Sequence, residues 1–365
     1  MRQRLIPALV LLCLGVRLAG AAAATAQDQT PLPKVRLVAT GGTISNRTGG
    51  RLTAEELIAS MPDVERYARP EFEQVANVAS SSLTLDQWLQ LSRRVNQLFA
   101  NDPELAGIVV TSGTDTLEET AYFLHLTVRD VRPVVVVGSM RNPSTLGYEG
   151  AANLLEGFRV AADPDSRGKG ALVVLNDEIN SAREVTKTDA LRLQTFQTRG
   201  YGVLGVVDRD RVVYYRDVVK RHTADSEFDL AGVKELPRVD VILTYQGAPG
   251  DLIRAAADHG ARGIVLATAG AGATSGTQGE GIDYAIQKGV VIVTGTRTGS
   301  GRIAARRGPL PDRGGDQTST EEARARFARR ISAEDLAPLK ARILLMLALT
   351  KTDDPAEIQR MFVEY

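Results

Sequence analysis

Short apolar segments alternate with longer stretches of helical pattern through the first half of the chain. Strands that alternate with helices favour a parallel sheet with helices packed on its faces. The predicted strands lie at 35–40 (VRLVAT), 72–79 (FEQVANVA), 107–111 (GIVVT), 133–139 (PVVVVGS) and 170–176 (GALVVLN), and the predicted helices at 53–60, 84–100, 116–127 and 149–162. The alternation therefore predicts an α/β domain.

Three of these helices are predicted to begin with a capping box. In this motif a threonine hydroxyl and an acid or amide three residues later each bond a free backbone N–H. The boxes are Thr53 with Glu56, Thr84 with Gln87, and Thr116 with Glu119.

A second series of alternating segments begins near residue 239. It comprises strands at 239–246, 263–268 and 290–296, helices at 250–259 and near 279–288, and two final helical segments at 339–351 and 355–365. A chain of 365 residues with 43% hydrophobic content can bury two cores. The charged, strand-poor segment 216–237 is interpreted as a linker between domains at 27–215 and 238–365, and the Arg-rich segment 303–331 as a surface excursion.

The first 26 residues have the pattern of a secretory signal peptide. Arg2 and Arg4 precede an apolar stretch, and Ala24-Thr25-Ala26 forms a small-residue cleavage site. An uncleaved membrane anchor is the weaker alternative, because the apolar stretch is shorter than the roughly 20 residues that span a bilayer. The mature chain is therefore predicted to begin after Ala26 and to be periplasmic or secreted, away from the membrane.

Composition excludes several function classes. Cys13 is the sole cysteine and lies in the predicted signal peptide, so the mature chain has no thiol for disulfides, nucleophilic catalysis or metal binding. Its three histidines are far apart in sequence, which disfavours a metal site, and His125 is interpreted as a structural helix residue. Signal cleavage removes three of 44 basic residues and none of 44 acidic ones, so nothing points to a nucleic-acid partner.

Hydroxyl-rich and glycine-rich loops follow four of the predicted strands. They are Thr40-Gly41-Gly42-Thr43, Ser80-Ser81-Ser82, Ser112-Gly113-Thr114-Asp115-Thr116 and Gly138-Ser139-Met140-Arg141. Ligands bind beyond the carboxyl ends of parallel strands, where glycines let backbone N–H groups converge on an oxygen. Any one loop fits an ordinary turn, but four together predict a site for a small polar ligand.

A nucleophile in this site would be a serine or threonine hydroxyl activated by a base other than histidine. Lys187, in the segment EVTKTD, follows the last strand of the first domain and could reach the same edge. Partial burial beside hydroxyl groups lowers the pKa of a lysine, and Asp115 would orient it. No loop has the glycine spacing of a dinucleotide or phosphate-binding motif, so no cofactor is predicted.

The chain resembles the bacterial type II L-asparaginases and glutaminase-asparaginases over nearly the whole mature chain. The segments that carry the resemblance are LVATGGTIS at 37–45, the stretch 107–141 that contains SGTDT, EVTKTD, and the C-terminal KARILLMLALTKTDDPAEIQRMFVEY. The resemblance implies a two-domain asparaginase-like α/β fold, with a larger N-terminal parallel-type sheet domain and a smaller C-terminal flavodoxin-like domain. It also implies a homotetramer that hydrolyses the side-chain amide of asparagine or glutamine without metal or cofactor.

By position in the resemblance, Thr43 is the nucleophile that forms an acyl-enzyme. Thr114, Asp115 and Lys187 form a second catalytic group, in which Asp115 also binds the substrate ammonium. Ser80 and Ser81 occupy substrate-binding positions, and Ser80 can bond the substrate carboxylate. Backbone N–H groups of the glycine-rich turns would stabilise the oxyanion.

The chain departs from the family pattern at several positions. Ser112 replaces a histidine, Ser81 replaces a glutamine, and GAGA at 270–273 replaces an asparagine-bearing loop. No tyrosine occurs between Thr43 and Tyr67, where the family has a lid tyrosine, so Tyr148 is a candidate substitute.

Two other functions are compatible with this pattern. One is a same-fold amidase for a different amide, decided by the loop 44–60 and by Ser81. The other is an exported solute-binding protein, which is disfavoured because a binding clamp has no need of Lys187 beside Thr114 and Asp115.

Overall fold

The computed structural model describes residues 31–305 and 330–365. The described residues from Leu32 onward belong to one compact unit. The predicted signal peptide, and most of the segment 303–331, lie outside the described residues. Within them, no helix is both long enough and apolar enough to cross a bilayer.

The strands are numbered in chain order. They are β1 (Lys34–Gly41), β2 (Asn46–Arg47), β3 (Gly50–Arg51), β4 (Arg69–Val78), β5 (Leu105–Thr111), β6 (Val134–Val137), β7 (Ala171–Leu175), β8 (Glu178–Ser181), β9 (Thr186–Lys187), β10 (Phe196–Gln197), β11 (Gly205–Val207), β12 (Val212–Tyr214), β13 (Val239–Leu243), β14 (Gly263–Thr268), β15 (Val291–Thr296) and β16 (Arg330–Ser332).

The helices follow the same scheme. They are α1 (Ala54–Ala59), α2 (Leu85–Asn101), α3 (Leu117–Thr127), α4 (Gly150–Ala162), α5 (Asp251–Asp258), α6 (Gln278–Gln287), α7 (Pro338–Ala348) and α8 (Pro355–Glu364). Each predicted helix is present, with ends within a few residues of those predicted.

The larger sheet has eight strands in the order β12-β11-β8-β7-β6-β5-β1-β4. The five strands from β4 to β7 are mutually parallel, as predicted from the alternation. Strand β8 is antiparallel to β7, β11 to β8, and β12 to β11, so the sheet is mixed. The reversal occurs at Asn176 and Asp177, whose φ values of 53° and 64° suit a two-residue hairpin turn.

The smaller sheet is parallel, in the order β13-β14-β15-β16. One face packs against α5 and α6 through residues such as Ile253 and Ile282, and the other against α7 and α8. Helices therefore cover both faces, as the predicted C-terminal α/β domain requires.

The largest apolar cluster joins the two sheet layers through α7. It brings Tyr122 and Phe123 of α3 together with Leu344 and Leu345 of α7, all buried. Phe228 of the segment 216–237 is buried in the same cluster. This segment contains no strand, as predicted, but it contributes to the core. The exact domain boundaries stay predictions.

Two of the three predicted capping boxes are present, at Thr53 and Thr84, with both reciprocal hydrogen bonds. The third prediction is wrong, since the Thr116 side chain makes no capping bond. The Glu119 carboxylate instead lies 3.7 Å from Arg342 Nη1 of α7, and the Thr116 N–H donates to Ser80 Oγ at 3.4 Å.

Candidate active site

Gly41 and Gly42, at the end of β1, lie in close contact with the end of β4 and with the loop after β5. Gly42 has φ +93°, and a Cβ atom built there would lie 2.2 Å from the Gly113 nitrogen. Its N–H donates to the Val78 carbonyl at 2.8 Å, at the end of β4. The Gly42 amide is therefore not among the oxyanion donors expected of the glycine-rich turns. Instead, glycine at this position lets the turn that carries Thr43 approach the loop after β5.

The four predicted loops lie at one edge of the larger sheet, because β1, β4, β5 and β6 are parallel. The loop after β4 contacts the loop after β5, since a Cβ at Gly113 would lie 2.7 Å from Ser80 Oγ. The loop after β6 contacts it as well, since a Cβ at Gly138 would lie 3.3 Å from Thr114 Cγ2. The structure thus gathers all four loops around Gly113 and Thr114, and we call this edge the N-terminal rim.

Lys187 contacts the N-terminal rim directly. Its Nζ donates to Thr114 Oγ1 at 3.0 Å and to Asp115 Oδ1 at 2.8 Å. The Lys187 side chain is 16% exposed, whereas that of Asp115 is 74% exposed. The amine is thus held beside a buried hydroxyl, while the carboxylate remains open to an incoming cation.

The path by which Lys187 reaches the rim differs from the expectation. Because β8 is antiparallel, it ends with Ser181 opposite Leu172, at the beginning of β7. Residues 182–187, which we call the return segment, then carry the chain back across the domain. Lys187 therefore does not follow the carboxyl end of a parallel strand.

The remaining predicted site residues differ in exposure. Thr43 is half-buried in the turn after Gly42, Ser80 is buried at the N-terminal rim, and Ser81 is exposed. Ser112, which replaces the family's histidine, is buried, and its hydroxyl donates to the Gly113 carbonyl at 3.3 Å.

Tyr148 lies against the chain that follows Thr43. Its hydroxyl donates to the Ile44 carbonyl at 2.9 Å, and Ser144 Oγ accepts a bond from the Thr48 N–H at 2.9 Å. Burial, with a smaller contribution from Glu149, raises the pKa of Tyr148 well above its ordinary value. Tyr148 is therefore a protonated hydrogen-bond donor to the main chain of the loop 44–60, which we call the lid loop, and in this structure it does not bond the Thr43 hydroxyl.

Other concave surfaces lie away from the N-terminal rim. A cavity of about 850 Å³ lies beside α2, and another of about 550 Å³ includes Arg221 and His222. Arg221 is already paired with Glu227 and Glu364. Within residues 31–305 and 330–365, no cluster of histidine and acidic side chains is arranged to hold a metal ion.

The profile described as the asparaginase N-terminal domain matches residues 34–220, and the profile of the glutaminase/asparaginase C-terminal domain matches residues 238–362. The chain belongs to the asparaginase family. Family membership agrees with the two-sheet fold and with the resemblance inferred from the motifs.

Individual relatives extend this similarity over most of the chain. L-asparaginase 2 of Bacillus subtilis is 41% identical over 354 residues, covering 94% of this chain and 89% of its own. A protein of Haemophilus influenzae named probable periplasmic L-asparaginase is 34% identical, covering 96% of both chains.

A solved structure shows the same fold. The crystal structure of a probable cytoplasmic L-asparaginase from Campylobacter jejuni matches with a TM-score of 0.80 and 35% identity. The match covers 92% of this chain and all of that one. The family thus includes proteins described as periplasmic and as cytoplasmic.

Proposed function

We propose that this protein is an exported amidohydrolase that converts L-asparagine, and L-glutamine as a second substrate, to the corresponding acid and ammonia. The observation that carries the proposal is the contact of Lys187 Nζ with Thr114 Oγ1 and Asp115 Oδ1, beside the turn that carries Thr43. A hydroxyl next to an amine that can exchange its proton is the arrangement that nucleophilic amide hydrolysis needs.

The proposed reaction has two steps. Thr43 Oγ attacks the side-chain amide carbon, the C–N bond breaks, and the nitrogen leaves as ammonia with the proton that the hydroxyl gave up. Water then attacks the resulting ester, which releases the carboxylic acid and restores the Thr43 hydroxyl. In both steps the Thr114 and Lys187 pair moves the proton.

Substrate binding is assigned by charge. The exposed Asp115 carboxylate is the proposed partner of the substrate ammonium, and the buried Ser80 hydroxyl is the proposed donor to the substrate carboxylate. These groups belong to adjacent loops of the N-terminal rim, so a single amino acid can reach both. Ser81 is exposed and is proposed to contact only the outer part of the substrate.

Export rests on the predicted signal peptide, and assembly on the family resemblance. We propose cleavage after Ala26, a periplasmic or secreted mature chain, and a homotetramer. N-terminal sequencing of the secreted protein should start at Gln27, and light scattering should give the mass of a tetramer. Uncleaved protein retained in the cytoplasm would contradict export, and an active monomer would contradict the tetramer.

An ammonia-release panel tests the activity. Purified protein with a chelator present is offered L-asparagine, L-glutamine, their D-isomers and β-aspartyl peptides, and we expect the fastest release from L-asparagine. Release from a different amide alone would point to the same-fold amidase, and tight binding without turnover would point to a solute-binding protein. Loss of activity with chelator would contradict the cofactor-free mechanism.

A further inference from the structure

The return segment that carries Lys187 packs on the larger sheet through the buried Ala182 and Val185, but Lys187 itself lies in β9, which is not a strand of that sheet. Strand β9 pairs with β10 in a two-residue ladder, Phe196 to Lys187 and Gln197 to Thr186. A ladder of this length is weak on its own. The position of Lys187 relative to Thr114 must therefore depend on other contacts of residues 182–187.

The Glu118 side chain supplies two of these contacts. Its Oε1 accepts hydrogen bonds from Thr186 Oγ1 at 3.0 Å and from the Lys187 N–H at 3.1 Å. Glu118 lies in the first turn of α3, the helix that follows Thr114 and Asp115 in the chain. One buried carboxylate thus connects the main chain of Lys187 to the helix behind its two side-chain partners.

Lys340, from α7 of the C-terminal part of the chain, holds the other side of the return segment. Its side chain is 1% exposed, and its Nζ donates to the carbonyls of Arg183, at 3.0 Å, and Val185. Nζ also lies 3.8 Å from Glu118 Oε2. The buried ammonium group thus has two carbonyl acceptors and one carboxylate at ion-pair distance.

The charged groups around Lys340 partly offset one another. Burial lowers the pKa of Lys340 to about 8; Glu118 and, more weakly, Glu184 oppose the shift, whereas Arg183 reinforces it. A buried ion pair contributes little net stability, since an apolar pair of similar volume is often as stable or more so. A contribution to fold stability alone therefore does not explain why a buried lysine and glutamate occupy these positions.

The same two helices contain a second acid–base pair that serves as an internal comparison. Glu119 Oε2 lies 3.7 Å from Arg342 Nη1, and Arg342 Nε donates to the Val239 carbonyl at 3.0 Å. This pair also joins α3 to α7, but its described hydrogen bonds go to β13 rather than to the return segment. Any effect specific to Lys187 should therefore follow the first pair and not the second.

We propose that Glu118 and Lys340 are positioning residues that together hold Lys187 Nζ within hydrogen-bonding distance of Thr114 Oγ1. The inference rests on the proposed role of Lys187 in amide hydrolysis. It makes a helix of the C-terminal domain part of the machinery that aligns the N-terminal rim.

Kinetics of four matched variants test the proposal. Lys340→Met and Glu118→Ala should lower kcat by about 10- to 100-fold with little change in KM, because small displacements of a catalytic group are costly. Arg342→Met and Glu119→Ala should leave kcat within about threefold of the wild type at a temperature where all variants are folded. Glu118→Gln keeps an acceptor oxygen, so it should recover part of the loss seen in Glu118→Ala.

Hydrogen exchange gives a readout that does not depend on activity. Peptides covering residues 184–190 should exchange faster in Lys340→Met and Glu118→Ala than in Arg342→Met and Glu119→Ala. Glu118→Ala removes the acceptor of the Lys187 N–H, and Lys340→Met removes the donor to the Arg183 and Val185 carbonyls. If Lys340→Met fails to fold, Glu118→Ala and Glu118→Gln carry the same comparison. Wild-type exchange at 184–190, or an unchanged kcat in folded variants, would overturn the proposal. If no amide is hydrolysed at all, the proposed function fails, and exchange alone decides the positioning.

Discussion

The parallel strands of the two sheets end in loops of similar composition but different chemistry. In the C-terminal sheet, Thr268 Oγ1 donates to the Gly295 carbonyl at 2.7 Å, and Arg297 Nη1 donates to the Thr244 carbonyl at 2.7 Å. These two side chains thus bond the main chain of other strands and loops of the same sheet. At the N-terminal rim, Lys187 and Thr114 meet through side chains that come from different segments of the chain.

This difference shows what the strand-end rule can and cannot predict. Parallel strands collect loops at one edge in both domains, and the rule finds both edges. The chemistry of the N-terminal rim comes from the return segment, which lies outside the parallel set of strands. The proposed site at the N-terminal rim therefore depends on Lys187, which the return segment supplies. Variants of matched residues at the two sheet edges test whether only the N-terminal rim supports catalysis.

The largest effect is expected when the Thr43 or Thr114 hydroxyl at the N-terminal rim is removed. Thr43→Ala and Thr114→Val should each lower kcat for L-asparagine by about 10³-fold or more. Removing one member of a group that catalyses as a unit costs nearly as much as removing the whole group. Thr296→Val, at the corresponding edge of the C-terminal sheet, should leave kcat unchanged. Steady-state ammonia release with circular dichroism as a fold control measures both. Near-normal turnover by Thr43→Ala would assign the nucleophile to another residue.

The sequence predicted the parallel strands, the helices and the four loops because apolar period and turn chemistry are local properties. It also selected Lys187, but for the wrong structural reason, since the hairpin at Asn176 and Asp177 reverses the chain before Lys187 is reached. Asparagine and aspartate tolerate positive φ, so an Asn-Asp pair is compatible with such a turn. The path of the segment that follows it cannot be deduced from the sequence.

Glu118 and Lys340 are not marked as site residues by any local sequence pattern. Glu118 lies beside Glu119 in an ordinary first helical turn, where acids are common. Lys340 interrupts an otherwise apolar helix, which is a signal of a buried charge, but its partners come from residues more than 150 positions away. Long-range pairing of this kind is set by tertiary packing and cannot be deduced from local pattern.

A second comparison separates backbone strain from close approach. Gly42 and Gly272 have similar φ values, +93° and +98°, but a Cβ would lie 2.2 Å from the Gly113 nitrogen at Gly42 and 3.4 Å from Thr294 Cγ2 at Gly272. Gly42→Ala should therefore cost about 4 kcal/mol through strain plus steric overlap, and Gly272→Ala about 1 kcal/mol through strain alone. Urea denaturation measures both costs, and equal losses would contradict the close contact between the two N-terminal loops.

The contact between the return segment and the C-terminal residues predicts a pH effect. Asp335 accepts two hydrogen bonds from the buried Arg183 guanidinium, at 2.7 and 3.0 Å. Burial alone would raise the pKa of Asp335, but the bonds and charge of Arg183 outweigh this and hold it well below 3.8. The stabilisation is thus present above pH 3.8 and is lost as the pH falls towards the folded-state pKa.

Asp335→Asn should cost about 2 to 3 kcal/mol at pH 7, because it leaves a buried guanidinium uncompensated. The gap from the wild type should narrow as the pH falls below about 4, because the Asp335 carboxyl of the unfolded chain protonates there while that of the folded protein stays ionised. Asp240→Asn removes a half-buried partner of the exposed Arg238 and should leave the denaturation midpoint nearly unchanged. A gap for Asp335→Asn that stays constant down to pH 2 would contradict the assigned pKa shift.

The smallest expected effect concerns the loop after Thr43, whose main chain is held by Tyr148. Tyr148→Phe removes the hydrogen bond to the Ile44 carbonyl and should cost about 1 kcal/mol of stability. Because this bond holds the chain next to Thr43, we also expect kcat to fall by about 3- to 10-fold. Tyr284→Phe loses an exposed bond to Asp258 in the C-terminal domain and should leave kcat unchanged.

The size of the Tyr148→Phe effect distinguishes two roles. A loss as large as that of Thr43→Ala would mean that the hydroxyl acts on the nucleophile itself, after a movement of the lid. A loss confined to stability, with kcat and KM both unchanged, would mean that the lid main chain needs no anchor during turnover. A modest fall in kcat that persists or grows as glycerol raises the viscosity would show that Tyr148 governs closure, whereas a fall that disappears would place its effect in the chemical step.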